Sequence, residues 1–351
     1  MPATDNTDNH EQPSMSSASL TVIKGDGIGP AIVEAALEVA AALGASFDCE
    51  YVQIGQAALD DGADDPLPQT AVDSIRRTGL ALKGPTTTPS GTGHASVNVA
   101  IRKQFDLYAN IRPAVAMTGV EALYPDADLI VVRENESGMY SGQGQSLSDD
   151  GTRAEAKSVM TRAQSRRIIR HAFELAHARG RRRVTLAHKA NILKTTSGLF
   201  LSVGREIAAD YDDIEFDDEN VDACAMKLVM DPHQFDVIVA TNLFGDILSD
   251  LCAGLTGGMG LAPGANIGDG CAVFEAVHGS APDIAGRNIA NPTAILLATA
   301  MLLDHVQATG QATRLRRAIR AAIAEQDRVT PDLGGNGTTD AFTRAVCERL
   351  G

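Results

Sequence analysis

Short apolar runs alternate with amphipathic segments along most of the chain. The pattern opens with the strand-like run Leu20–Ile23, passes through a glycine-rich turn, and then places apolar residues at helical spacing over Ala31–Leu43. The alternation recurs and predicts a βαβ organisation of the α/β class. Further strands are predicted at Leu129–Val132, Val184–Ala187 and Val237–Ala240, and further helices at Gln164–Arg179 and Pro292–Val306.

The glycine-rich turn, residues 25–30, joins a strand to a helix as dinucleotide-binding turns do. Its glycines follow the spacing G-x-G-x-G instead of G-x-G-x-x-G, and no clear acidic partner follows at the usual distance. Two interpretations therefore stay open. The turn binds a cofactor, or its glycines serve only to make a tight connection.

Three arginines occur where an anion could be bound. Residues 83–98 are rich in hydroxyls and glycines and lead into a predicted helix with Arg102, while Arg112 and Arg133 lie near strand ends. A loop that enters a helix presents free backbone N–H groups to anions, and guanidinium groups bind carboxylates in bidentate fashion. A single arginine of this kind is usually a surface charge. Three together predict a polyanionic substrate.

Two later strands are followed by residues suited to proton transfer or metal binding. Lys189 ends one strand near Asn191, where a lysine can transfer a proton or remain a solvated loop residue. Asp246 and Asp250 are four residues apart on one helix face, and a hard cation would explain this unfavourable pair of like charges. Interaction with the helix dipole is the alternative explanation.

Composition narrows the class of protein. The formal net charge of −15 disfavours nucleic-acid binding, and no uncharged apolar run reaches about 18 residues, so no membrane span is expected. Five scattered cysteines without a C-x-x-C pair argue against disulfides or structural zinc and favour a reducing cytoplasm. Residues 1–18 are polar, lack the features of a signal peptide, and are expected to form a disordered tail.

Together with Asn242–Asp250 and the polar stretch Phe274–Gly286, which is expected to be a loop, these motifs resemble the β-decarboxylating dehydrogenases of isocitrate, 3-isopropylmalate and homoisocitrate. The resemblance runs from about Leu20 to the C-terminus. It implies an α/β fold of two domains with a central cleft, which is not a Rossmann fold. A large cofactor-binding domain would join residues 19–115 with 259–351, and a small dimer-forming domain would span 116–258.

The resemblance also implies roles for individual residues. Tyr140 and Lys189 would be catalytic, and Lys189 and Asp222 would come from the second subunit of a homodimer. Mg²⁺ or Mn²⁺ would be held by Asp222, Asp246 and Asp250. Substrate would be bound by Ser96, Asn98, Arg102, Arg112 and Arg133. The cofactor would be bound by Ile28, Thr87, Asn191, His278, Gly279, Ser280, Ala281, Asp283, Ile284 and Asn291.

Within the family, two details favour isocitrate and NAD. Ser96 and Asn98 stand where isopropylmalate enzymes present apolar residues, and polar groups left unpaired against an isopropyl group would cost about 1–3 kcal/mol each. Asp283 can accept hydrogen bonds from the ribose hydroxyls and would repel the 2′-phosphate of NADP. The expected reaction is oxidation and decarboxylation of isocitrate to 2-oxoglutarate. Homoisocitrate or isopropylmalate as substrate and a non-catalytic regulatory subunit are the alternatives.

Overall fold

The computed structural model describes residues 18–88 and 96–351. The predicted tail lies outside the described residues except for Ala18, and there the prediction is wrong because Ala18 already begins the first strand. The strands are β1 Ala18–Ile23, β2 Phe47–Val52, β3 Leu80–Lys83, β4 Ala109–Val115, β5 Asp128–Glu134, β6 Ser146–Leu147, β7 Ala154–Glu155, β8 Arg183–His188, β9 Glu215–Asn220, β10 Val237–Ala240, β11 Pro263–Ile267 and β12 Ala272–Ala276. The helices are α1 Gly29–Ala42, α2 Gln56–Asp60, α3 Gln69–Thr78, α4 Val97–Gln104, α5 Arg162–Ala178, α6 Thr196–Ala208, α7 Val221–Met230, α8 Asn242–Leu255, α9 Thr293–His305, α10 Thr309–Glu325 and α11 Thr339–Cys347.

The predicted α/β class is confirmed, and the named strands and helices are present with ends that differ by at most two residues. One expectation is wrong. The stretch Phe274–Gly286 was expected to be a loop, but its first three residues complete β12. All five residues of β12 are buried. A strand covered on both faces lacks the polar–apolar alternation that would reveal it in the sequence.

The main sheet has ten strands in the order β2-β1-β3-β12-β11-β4-β5-β10-β8-β9. Neighbours at both ends are parallel, whereas β12, β11, β4 and β5 pair antiparallel in the middle. The remaining two strands, β6 and β7, form a separate antiparallel pair. The strands of the first and last parts of the chain therefore adjoin those of the middle part where β4 meets β5.

Helices cover both faces of this sheet. On one face, α1, α5, α6, α9, α10 and α11 pack into one extensive apolar core. On the other face there are two smaller cores, one beneath α7 and α8 and one beneath α3 and α4. The gap between α4 and α8 is where the central strands present polar side chains, and the candidate site lies there.

The division into a large and a small domain stays a prediction. The strand order is compatible with it, since strands of residues 116–258 occupy one end of the sheet. Among the described residues, none of the helices is both long and apolar enough to span a bilayer. All five cysteines carry free thiols.

Candidate active site

Strands β4 and β5 place two of the predicted arginines on one face of the sheet. Successive side chains of a strand point to opposite faces. Arg112 and Arg133 point toward α8, whereas Ile111 and Ile130 belong to the core on the other face. Both arginines are buried, so their contacts with α8 are shielded from bulk water.

Arg133 is held by the first turns of α8. Its side chain donates from Nε and Nη2 to Oδ1 of Asn242 at 3.1 and 2.8 Å, and it forms an ion pair with Asp246. A Cβ on Gly245 would lie 2.7 Å from Cγ of Arg133, so this close approach requires glycine. Burial and the guanidinium of Arg112 lower the pKa of Arg133 to about 9, which leaves the group charged at neutral pH.

Arg112 connects both carboxylates of α8. Its Nη1 donates to Asp246 Oδ1 at 3.1 Å, to Asp250 Oδ1 at 3.3 Å and to Ser249 Oγ at 2.7 Å. The two aspartates share one helix face, as their spacing predicted, and the fold places a cation beside them from a distant strand. Burial raises the pKa of Asp250 although attraction to Arg112 opposes this.

Tyr140 lies against the same carboxylate group. Its hydroxyl donates to Asp246 Oδ2 at 2.5 Å, and the guanidinium carbon of Arg133 lies 5.1 Å from the ring centroid. Burial and the hydrogen bond to Asp246 raise the pKa of Tyr140. Burial alone would raise the pKa of Asp246, but attraction to Arg133 and the Tyr140 hydrogen bond help to outweigh it and lower the pKa. The tyrosine is therefore held in its protonated form beside a carboxylate.

Arg102 approaches this group from α4. It is buried, donates from Nε to Asn266 Oδ1 at 3.1 Å, and lies 3.6 Å from Glu275 Oε1. The other oxygen of Glu275 pairs with Lys83 Nζ at 2.8 Å. Burial would raise the pKa of Glu275, but attraction to Lys83 and Arg102 outweighs it and lowers the pKa to about 2. A buried carboxylate thus fixes the position of the third arginine.

Ser96 and Asn98 precede Arg102 on the same helix. Ser96 is the N-cap residue of α4, is half-buried, and makes no side-chain hydrogen bond to the N–H groups of the helix. Asn98 lies one turn before Arg102, and its Oδ1 accepts from Thr86 Oγ1 at 3.2 Å. Residues 89–95 of the predicted anion-binding loop lie outside the described residues.

The aspartates predicted to hold a metal lie in two places. Asp246 and Asp250 lie on α8, whereas Asp222 lies in the first turn of α7. In the part of the chain that the structure describes, no group of three His, Cys, Asp or Glu side chains is placed to hold a metal ion. Carboxylate oxygens are ligands that Mg²⁺ and Mn²⁺ prefer. The donors on α8 thus fit such an ion chemically, with further ligands needed from elsewhere.

Lys189 and Asp222 form a separate ion pair. Lys189 follows β8, and its hydrogen bond lowers the pKa of Asp222. Across residues 18–88 and 96–351, no hydrogen bond or ion pair joins this pair, or the nearby exposed Asn191, to Tyr140 or Asp246. One chain therefore does not bring these predicted residues into contact with the arginine group.

The glycine-rich turn meets two stretches that carry predicted cofactor residues. The Ile28 N–H donates to the carbonyl of Ser280 at 2.9 Å, and Thr87 Oγ1 lies 2.8 Å from Ser280 Oγ. A Cβ on Gly27, at φ +59°, would lie 2.0 Å from the Ser280 carbonyl oxygen. Asp26 fixes the same corner, since its Oδ2 accepts from the Thr87 N–H at 2.7 Å. This glycine is thus required by the close approach of two loops.

The next predicted cofactor residues follow Ser280 in a surface turn. Ala281 has a left-handed backbone with φ +40°, and Pro282–Ile284 forms one turn of 3₁₀ helix. Asp283 is exposed and Ile284 is half-buried. The Asp283 carboxylate can therefore reach a ligand from solvent without disturbing the core.

His278, Gly279 and Asn291 flank this turn. His278 Nδ1 lies 3.0 Å from the carbonyl oxygen of Gly279, and burial lowers the pKa of His278. Asn291 is buried; its Nδ2 donates to Asp332 Oδ2 at 2.9 Å and its Oδ1 accepts from the Thr293 N–H at 2.9 Å. The amide of Asn291 thus has a structural function at the start of α9.

The sequence reading assigned no role to several polar residues that hold the arginines, above all Lys83 and Glu275. Each interrupts an apolar, buried strand, and the register of β3 and β12 pairs the two residues directly. Lone opposite charges within two apolar runs were the available signal. Asn266 and Asn242 carried no comparable signal, because their partners lie more than 100 residues away.

Comparison with known proteins identifies the family. The family described as isocitrate/isopropylmalate dehydrogenase matches residues 19–348. The chain belongs to this family. It is 46% identical over 333 residues to isocitrate dehydrogenase (NAD) catalytic subunit 5, mitochondrial, of Arabidopsis thaliana, with 94% of this chain and 88% of that protein covered. The resemblance read from the motifs is thereby confirmed.

Two further matches bear on fold and substrate. A crystal structure of isocitrate dehydrogenase from Methylococcus capsulatus superposes with a TM-score of 0.92 at 51% identity, covering 95% of this chain and 99% of that one. The 3-isopropylmalate dehydrogenase of Archaeoglobus fulgidus is 46% identical over 331 residues, covering 94% of this chain and 99% of that protein. The predicted dehydrogenase fold is confirmed, while relatives named for two different substrates lie at the same identity.

Proposed function

We propose that this family member is an NAD-dependent isocitrate dehydrogenase that oxidises and decarboxylates isocitrate to 2-oxoglutarate. The observation that carries the proposal is the convergence of three buried arginines around one carboxylate and one tyrosine. Arg102 and Arg112 each lie near enough to Arg133 to lower its pKa. Keeping three guanidinium groups together in a buried region is unfavourable unless anions compensate them. A tricarboxylate supplies that compensation.

The choice of isocitrate over isopropylmalate rests on α4. Ser96 caps this helix without using its hydroxyl for the cap, and Asn98 lies half-buried on the turn before Arg102. A carboxylate would accept hydrogen bonds from these side chains, whereas an isopropyl group would leave them unpaired. NAD is favoured because the exposed carboxylate of Asp283 stands where the 2′-phosphate of NADP would be repelled.

The residues of the chain have distinct tasks in this reaction. The three arginines bind and orient the carboxylates of the substrate. Lys189 with Asp222 accepts the proton of the C2 hydroxyl as hydride leaves for the nicotinamide. Carbon dioxide is then lost, and the Tyr140 hydroxyl, which is a hydrogen-bond donor in the structure, gives its proton to C3.

The carboxylates of Asp246 and Asp250, joined by Asp222, would hold Mg²⁺ or Mn²⁺. When bound, the ion would polarise the C2 oxygen and stabilise the negative charge that develops there. Because Asp222 lies apart from the other two in one chain, the set is complete only if a second copy contributes it.

A homodimer with shared sites follows from this division. The helices α7 and α8 carry an apolar surface that one chain leaves uncovered, and large exposed apolar patches mark interaction sites. Its residues, between 38% and 70% exposed, are Met226, Val229, Met230, Leu243 and Ile247. A second copy packed on this surface would bring its Lys189 and Asp222 toward the first copy's cleft. The cytoplasmic location and the two-domain division belong to the same proposal.

A substrate panel tests the proposal. Isocitrate, homoisocitrate and 3-isopropylmalate are each assayed with NAD and with NADP, before and after chelation with EDTA and addition of Mg²⁺ or Mn²⁺. We expect the highest kcat/KM for isocitrate with NAD, no turnover after chelation, and recovery with metal. A higher kcat/KM for isopropylmalate, or full turnover in chelated enzyme, would contradict the proposal.

A single substitution tests the substrate contact. Ser96→Glu places a carboxylate against the carboxylates of isocitrate, so activity should nearly vanish through repulsion. Ser202→Glu, on the exposed face of α6, is the matched control and should be unaffected. Unchanged KM and kcat in the Ser96 variant would remove this residue from the site.

A further inference from the structure

The face of β4 and β5 opposite the candidate active site contains a cavity of about 310 Å³. Since side chains alternate along a strand, Ile111 and Ile130 line this cavity while Arg112 and Arg133 point into the site on the other face. The cavity lies between α5 on one side and α9 and α10 on the other. Its further apolar lining is Val115, Met117, Leu175, Leu261, Leu297 and Met301.

Two prolines prevent the strands from closing this space. The β4–β11 ladder ends where Ala265 pairs with Ile111. Continued by two residues, the register would place Pro263 opposite Pro113, and neither has an N–H to donate. Both prolines line the cavity. The opening is therefore specified by the sequence of the two strands.

Four arginines surround the apolar floor: Arg179, Arg181, Arg316 and Arg320. They differ in how far carboxylates compensate them. Arg181 is fully compensated, since it pairs with Asp128 at 2.5 Å and with Asp236 at 2.9 Å.

The other three arginines share one carboxylate. Arg179 and Arg316 both pair with Asp304, at 3.3 and 2.6 Å. Arg320 pairs with no carboxylate of the described residues and is exposed at the mouth. This side of the cavity thus has two positive charges in excess, in a chain of net charge −15.

We propose that this cavity is a binding site for a small monocarboxylate with an unbranched or compact apolar body. An apolar floor with a few convergent polar groups is the usual form of a small-molecule site. At roughly 30 Å³ per water-sized group, the cavity accepts at least about ten non-hydrogen atoms. The body of the ligand displaces water from the floor, and its carboxylate pairs with Arg320 and Arg316. The site is separate from the proposed substrate and cofactor residues and does not depend on their function.

Octanoate, which has ten non-hydrogen atoms, is the probe. Binding to the full-length protein is measured by titration calorimetry, with octanamide as the uncharged analogue and acetate as the anion without an apolar body. We expect saturable binding of octanoate, a rise in Tm with its concentration, and affinities at least about tenfold lower for both analogues. Absence of saturable octanoate binding, or equal binding of octanamide, would overturn the proposal.

Two variants locate the bound molecule. Arg320→Glu should weaken octanoate binding at least about tenfold, whereas Arg317→Glu makes the same charge change on α10 outside the cavity and should have little effect. Leu297→Trp should fill the cavity and abolish binding without touching a charge. Octanoate binding that survives both Arg320→Glu and Leu297→Trp would place the molecule elsewhere and refute the site.

Discussion

The two parts of the candidate active site differ in how far one chain completes them. The arginine group, formed by Arg112, Arg133, Tyr140 and Asp246, is buried and cross-linked by hydrogen bonds from three elements. The pair of Lys189 and Asp222 is exposed and joined by one contact, with side chains 25% and 67% accessible.

This difference shows where geometry is fixed before ligands bind. Buried donors and acceptors must satisfy each other, so a network such as the arginine group holds its members in one arrangement. An exposed ion pair contributes little to stability and does not fix its members. We infer that the arginine group is preorganised for substrate, whereas the lysine–aspartate pair becomes part of a site only against another surface.

The largest effect is expected from Arg133→Met. Activity should fall roughly 10³-fold, since a charge that binds the substrate is lost. Stability should also fall by about 3 kcal/mol, because Asp246 and Asn242 lose their buried partner. The measurements are kcat/KM and urea unfolding. Arg153→Met, at an exposed position, is the control, and a stable but inactive Arg133→Met protein would contradict the structural half of the expectation.

Lys189→Met should affect activity alone. Loss of the proton acceptor should lower kcat on the order of 10²-fold or more. The urea midpoint should change by no more than about 0.5 kcal/mol in stability, because the lost pair is exposed. Lys194→Met, an exposed lysine nearby, should leave both quantities unchanged. A loss of stability as large as that of the Arg133 variant would remove the contrast between the two parts.

A mixed dimer tests whether the two parts meet across subunits. Inactive Tyr140→Phe and inactive Lys189→Met chains are dissociated reversibly, mixed and reassociated. If each cleft takes Tyr140 from one chain and Lys189 from the other, one cleft of the heterodimer collects both defects and the other neither. Activity should return to about half that of wild type per heterodimer. Confirmed heterodimers without activity would show that each chain builds its own site.

The smallest effect is expected at the cofactor turn. Asp283→Lys with Ile284→Tyr should lower kcat/KM with NAD and raise it with NADP, because a cation replaces the carboxylate that opposes the 2′-phosphate. Thermal stability should be nearly unchanged, since Asp283 is exposed and Ile284 half-buried. Arg287→Lys, a nearby change that keeps the charge, serves as the control. An unaltered ratio of the two kcat/KM values would exclude this turn from cofactor selection.

Much of the fold could be read from local patterns. Val237–Ala240 was predicted at its observed bounds, because an apolar run between polar turns is a local property. The reading failed at β12, where burial on both faces removes the alternation. It also assigned no role to Glu275, whose importance depends on Lys83 and Arg102 arriving from other elements.

The sequence by itself determined the α/β class, the residue types of the candidate site and, through the order of its motifs, the family. Those features depend on residue identity and spacing, which the chain carries without folding. Only the tertiary structure decided that Arg112 and Arg133 neutralise the aspartates of α8, that Asp222 lies apart from them, and that two prolines leave a cavity behind the site. These are relations between residues far apart in the chain, and sheet register and helix packing alone set their distances.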